Sequence, residues 1–116
     1  MKATPMTLKT AIPALICSAL FINAAAAADV DVDAAQALAK KSGCLKCHAI
    51  AKKKDAPSYK EIAGKHKGKA DAEDKLYKHL TTSPKVKVDG KEETHDSLKT
   101  KEEKQIRNVV RWILTR

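Results

Sequence analysis

Aromatic side chains are scarce in this 116-residue chain: one Trp, two Tyr and one Phe, 3% of all residues. Methionine occurs only as Met1 and Met6, and cysteine only as Cys17, Cys44 and Cys47. Each scarcity excludes something. With so few large apolar side chains, a small domain is short of material for its own core, and something other than side chains is expected to fill its middle. The many lysines have no interleaved aromatics on which bases would stack, which argues against nucleic-acid binding. The one long apolar run, Ala11 to Phe21, is shorter than the ~20 residues a membrane-spanning helix needs.

That run is informative for another reason. Lys2 and Lys9 precede it, Pro13 and Ser18 alone interrupt it, and Asn23 followed by alanines to Ala28 ends it. A basic start, a short apolar centre and a small-residue end mark a secretory signal peptide. The expected cut follows Ala28. A retained membrane anchor is the weaker alternative, and no stable membrane insertion is expected after cleavage. Residues 29–116 then form one domain, and Cys17 leaves with the signal.

The two remaining cysteines stand in Cys44-Leu45-Lys46-Cys47-His48. A C-x-x-C pair in an oxidising compartment serves as a redox dithiol, half a zinc site or a haem attachment, and C-x-x-C-H is the haem attachment signature. The spacing has a chemical reason. Two thiols on one turn reach the two vinyl groups on one porphyrin edge, and the adjacent imidazole is directed at the iron. A thioredoxin-like site would follow a strand in a βαβ pattern, which is missing here. A structural zinc site would need a second cysteine pair.

Around this motif the chain reads as helices. Asp33 is placed to cap a first helix through Ala34, Ala35, Ala37 and Leu38, with Lys40 and Lys41 at its C-terminal end and Ser42-Gly43 stopping it. Residues 51–60 form a basic loop around Pro57, followed by a short helix from Ser58 to Gly64 and a lysine-rich turn from Gly64 to Gly68. Asp71 to Thr82 carries Ala72, Leu76 and Leu80 at helical spacing. Ser83 to Thr100 is long, polar and without a convincing strand, so it reads as a functional loop. Thr100-x-x-Glu103 has the form of a capping box. Ile106, Val109, Val110, Ile113 and Leu114 then make one apolar stripe. The expected fold class is all-α, three to five short helices around one covalently bound haem.

This arrangement resembles the small bacterial class I cytochromes c. The resemblance covers residues 29–116. It rests on Lys41-Ser42-Gly43-Cys44-Leu45-Lys46-Cys47-His48-Ala49-Ile50, on Ala56-Pro57-Ser58-Tyr59-Lys60-Glu61-Ile62-Ala63 and on Val109-Val110-Arg111-Trp112-Ile113-Leu114. It implies that first and last helices cross beside the haem, and that a proline carbonyl, here of Pro57, accepts the proximal histidine's other N–H. Where the family often has glycine before this proline, the chain has Ala56. The family's second axial ligand is usually a methionine before the last helix, and residues 29–116 contain none. His95, seventeen residues before Trp112, stands nearly where that methionine would be and is the expected sixth ligand, giving bis-histidine iron with His48. An open or water-filled site, or ligation by His66, His79 or a lysine such as Lys91 or Lys99, are the alternatives. Imidazole in place of methionine implies a low reduction potential.

All 14 acidic residues lie beyond residue 28, whereas Lys2 and Lys9 of the 23 basic ones do not, leaving residues 29–116 at +7. Lys52, Lys53, Lys54, Lys65, Lys67, Lys69, Lys85, Lys87 and Lys91 make the loops basic, suited to steering toward acidic redox partner proteins. No nucleophile–base or carboxylate–histidine arrangement points to catalysis. The expectation is therefore a soluble periplasmic monohaem electron carrier that binds no substrate and acts as a monomer. A haem protein binding NO, CO or O₂ at a displaceable sixth site, or the cytochrome subunit of a periplasmic dehydrogenase, are the competing readings.

Overall fold

A computed structural model describes residues 29–116; the signal peptide expected at 1–28 lies outside the described residues. The elements run α1 (Val32–Lys41), a 3₁₀ turn (Cys44–Lys46), α2 (Tyr59–His66), α3 (Ala72–Thr81), β1 (Lys85–Val88), β2 (Lys91–Thr94) and α4 (Glu103–Leu114). Helix α4 organises the rest, because α1, α2 and α3 all pack against it. Its stripe is wide enough to face three neighbours: Ile106, Val109, Val110, Trp112 and Ile113 are all buried. Burying an aliphatic side chain of this kind contributes about 1.5–3 kcal/mol. Ala35 and Ala39 of α1, both wholly buried, let that helix approach closely, and Tyr59, Leu76, Leu80 and Leu98 complete the core.

The helix ends differ from the sequence expectation in three places. Asp31, not Asp33, caps α1: its side chain accepts from the Ala34 N–H at 2.9 Å. The choice is set at long range, because the Asp31 N–H donates to Asn108 Oδ1 at 2.9 Å and Asn108 Nδ2 donates to the Asp31 carbonyl at 2.8 Å. Asp33 falls instead in the first turn. Helix α2 continues to His66 rather than ending at Gly64. The Thr100–Glu103 capping box does not form. The Thr100 hydroxyl accepts from the Glu102 N–H at 3.2 Å and reaches Gln105 Oε1, so α4 starts after Glu102.

The larger correction concerns residues 83–100. The segment is not a plain loop: β1 and β2 pair antiparallel, with Lys85 opposite Thr94 and Val88 opposite Lys91. Asp89 and Gly90, at φ 49° and 78°, make the turn between them. Positive φ at both central residues gives the tight turn whose twist matches paired strands, for which Asp-Gly is a favoured sequence. The fold is thus helical, with one small hairpin added before the last helix.

Candidate functional site

The two cysteines are placed by a sharp change of direction. Ser42 caps α1, its N–H donating to the Leu38 carbonyl at 2.9 Å, and Gly43 follows in the left-handed region at φ 78°. A side chain there would be strained, so glycine is needed to turn the chain into Cys44. The 3₁₀ turn closes with the Cys47 and His48 N–H groups both donating to the Cys44 carbonyl, at 3.3 and 3.0 Å. Cys44 is half-buried and Cys47 exposed. Burial pushes the Cys44 thiol up, opposed in part by the neighbouring Tyr59 hydroxyl.

His48 is held from several directions. Its Nδ1 donates to the Pro57 carbonyl at 2.6 Å. A carbonyl only accepts, so this bond puts the proton on Nδ1 and leaves the Nε2 lone pair free on the far side of the ring. The loop that delivers Pro57 is laced back onto the motif: the Ala56 N–H donates to the Cys47 carbonyl and the Tyr59 N–H to the Ala49 carbonyl, at 3.0 and 2.9 Å. Tyr59 stacks against His48 with ring centroids 5.4 Å apart, and presents its ring to the edge of Trp112 at 5.2 Å. The supporting role of Tyr59 escaped the sequence reading. Its signal was an aromatic residue two positions after the proline.

Of the other candidates, the structure brings His95 and His79 to His48. The His95 ring stands 6.2 Å from the His48 ring, centroid to centroid, and tilted 55° to it, and His79 stands edge-on to His95 at 4.4 Å. Burial and then the nearby His48 hold His95 below the usual histidine range, with Asp96 pulling weakly upward. Burial, then His95 and His48, lower His79 as well. Both shifts favour the neutral imidazole, the form whose nitrogen lone pair is available to a metal. The Nδ1 atoms of His95 and His66 are buried and find no hydrogen-bond partner among the described residues. His66 ends α2, apart from the His48–His95–His79 trio, and Lys91 and Lys99 are exposed.

His95 follows β2 directly. Its N–H donates to the Pro84 carbonyl at 2.8 Å, closing the base of the hairpin. Beyond it the Leu98 N–H donates to the Leu80 carbonyl at 3.1 Å, and the Lys99 N–H to the buried Ser42 hydroxyl at 2.9 Å. The chain carrying His95 is thus tied both to α3 and to the end of α1.

Comparison with known proteins bears on the fold and the family. The family described as Cytochrome c matches residues 32–116. The Class 1 cytochrome MtoD of Sideroxydans lithotrophicus ES-1 superimposes with a TM-score of 0.72 at 50% identity, covering 75% of this chain and 97% of that one. Cytochrome c552 of Nitrosomonas europaea gives 0.54 at 26% identity, covering 69% of this chain and 96% of that one. Cytochrome c-551 of Allochromatium vinosum is 46% identical over 39 residues, which are 34% of this chain and 42% of that protein. The sequence match therefore spans well under half the length of that curated relative. Two thiols on one turn, followed by an imidazole whose Nδ1 is already bonded, are the donor set that a covalent haem requires. With the fold, the motif and the match over 32–116 in agreement, the chain belongs to the cytochrome c family, has the class I fold and carries one covalently bound haem c.

Proposed function

We propose that this cytochrome is an exported single-electron carrier whose iron is held between His48 and His95. The observation that carries this reading is the closeness of the two imidazoles, 6.2 Å between centroids and tilted 55° to each other. Imidazole nitrogens bind a metal at about 2 Å, so two rings at this separation would both lie within reach of one iron held between them. When bound, the haem supplies an iron that alternates between ferric and ferrous states. The chain's own residues do the rest. Cys44 and Cys47 fix the porphyrin edge, and the Pro57 carbonyl orients His48 and strengthens it as a donor. His95, its neutral form favoured by burial, fills the place that methionine takes in the relatives the sequence resembles. Imidazole favours ferric iron more than a thioether does, so the reduction potential lies below that of methionine-ligated members.

The surface beside the motif suits a redox partner. Leu45 and Ile50 are 36% and 42% exposed. They edge a groove of about 310 Å³ with Ala37, Lys40 and Trp112. The Lys54 ammonium sits 3.3 Å from the Leu45 carbonyl at the same rim. An apolar patch with lysines at its border fits an acidic partner that docks briefly and leaves. Among the described residues no helix is long and apolar enough to cross a membrane. The export signature at 1–28 supports periplasmic action, and N-terminal sequencing of the purified coloured protein is expected to begin at Asp29.

Ligation is tested by EPR on the ferric protein. Wild type is expected to give a low-spin bis-imidazole spectrum, and His95→Met to lose it while keeping the covalent haem. An identical spectrum from both proteins would refute His95 as ligand.

A further inference from the structure

The neck of the β1–β2 hairpin holds a feature that neither haem attachment nor the docking face explains. Ser83 has φ 47°, in the left-handed region. It follows Thr82, the C-cap of α3, so it occupies the position where helices most often place glycine, whose missing Cβ removes the strain. The sequence puts a hydroxyl there instead. That hydroxyl shares a hydrogen bond of 2.8 Å with the Ser97 hydroxyl across the neck. Between the two ends of this bridge lie the Pro84 carbonyl and the His95 N–H that bonds to it at 2.8 Å. Ser97 is two residues beyond His95 and directly precedes buried Leu98.

Strain at a helix end persists when something else depends on it. Here the dependent part is the mouth of the loop that carries His95. The hairpin itself is exposed along β2, so its tip gives the loop little anchorage. The neck is where the loop is fixed, by the two hydroxyls and the Pro84–His95 bond together with the Leu98–Leu80 and Lys99–Ser42 bonds just beyond them. We propose that the Ser83–Ser97 pair is a latch: Ser83 and Ser97 are positioning residues that hold His95 in place and set how often the sixth iron position opens. The inference rests on His95 being the ligand.

The latch separates from a merely structural role because its loss and global stability move in different directions. Ser83→Gly relieves the backbone strain while deleting the hydroxyl. Its thermal midpoint is expected to equal or exceed wild type, yet His95 is expected to leave the iron faster. The rate of CO binding to the reduced protein at saturating CO reads that departure directly. Ser83→Gly and Ser97→Ala are each expected to raise it about two- to tenfold, the range of one modest hydrogen bond. Ser97→Thr, which keeps a hydroxyl, is expected to stay near wild type. Amide exchange at the His95 N–H supplies a readout independent of CO, and it is expected to quicken in both hydroxyl-deleting variants.

The outcomes are distinguishable. An EPR spectrum unchanged in His95→Ala overturns the ligation and the latch together. A changed spectrum there, with wild-type CO rates and amide exchange in both serine variants, overturns the latch alone.

Discussion

Ser58 is polar and wholly buried, a combination that costs free energy unless its hydroxyl is bonded. It is bonded twice over. The hydroxyl accepts from the Glu61 N–H at 3.1 Å, and Glu61 Oε2 accepts from the Ser58 N–H at 2.7 Å, a reciprocal box that starts α2. The same bond holds the Glu61 carboxyl below its usual range. Ser58 directly follows Pro57, whose carbonyl fixes His48, so the cap also steadies the proximal side of the site. Ser58→Ala is expected to lower stability by about 1–2 kcal/mol, read as a lower denaturant midpoint of the holoprotein, with Ser58→Thr recovering most of it. A midpoint equal to wild type in Ser58→Ala would show that the box contributes nothing. Residues of this kind differ in how far sequence reveals them. Cys44, Cys47 and His48 are legible because the covalent chemistry needs them adjacent. Ser58-x-x-Glu61 and Thr100-x-x-Glu103 have the same form, and only one makes the box. What separates them is tertiary: Thr100 bonds Glu102 and Gln105 instead, which no local pattern announces.

Helix α4 is the element most plainly written in the chain, since a single stripe of apolar residues dictates which side it buries. Its polar side is less legible. Arg107 and Arg111 reach across to α3, contacting Glu73 at 3.1 and 3.0 Å, and Arg107 also meets Glu103 at 2.7 Å and lies over the Tyr77 ring. The Arg111 bond, and then Arg107, hold the Glu73 carboxyl below its usual value of 4.5. A carboxyl depressed in the fold stabilises it fully above the unfolded pKa and loses that contribution as pH falls through the folded one. Glu73→Gln is therefore expected to cost about 0.5–1 kcal/mol at pH 7, and the difference from wild type to shrink as pH falls below the usual carboxyl value of 4.5. Urea titrations across that window decide it. Curves for the two proteins that remain equally separated at pH 3 would mean the Arg pair is not the source. The hairpin shows the opposite case of legibility. Lys85-Val86-Lys87-Val88 alternates, and Asp89-Gly90 is a hairpin turn sequence, yet β2 is Lys-Glu-Glu-Thr with every residue exposed. With no buried face on one strand, hydrophobic alternation is too weak to announce the pair, and the turn dipeptide was the remaining signal.

On the scale of the molecule, charge and the site act together. Residues 29–116 carry +7, lowered to about +5 by two ionised haem propionates. Part of this charge is local to the site: Lys46, Lys52, Lys53 and Lys54 belong to the motif and the loop that returns to it, next to exposed Leu45 and Ile50. A field of this sign concentrates anions at the face where the porphyrin edge is attached, and salt weakens it over a Debye length of about 10 Å at 0.1 M. Electron exchange with a small anionic oxidant such as hexacyanoferrate(III) is therefore expected to slow as ionic strength rises, and exchange with a cationic cobalt complex to quicken. Changing Lys54, whose ammonium touches the Leu45 carbonyl, to Glu is expected to flatten both dependences more than changing Lys75, which is already paired with Asp71 at 2.8 Å on α3. Stopped-flow traces at several salt concentrations separate a local field from net charge. Equal slopes for Lys54→Glu and Lys75→Glu would mean that total charge alone governs encounter and that the groove beside Leu45 and Ile50 has no special part in it.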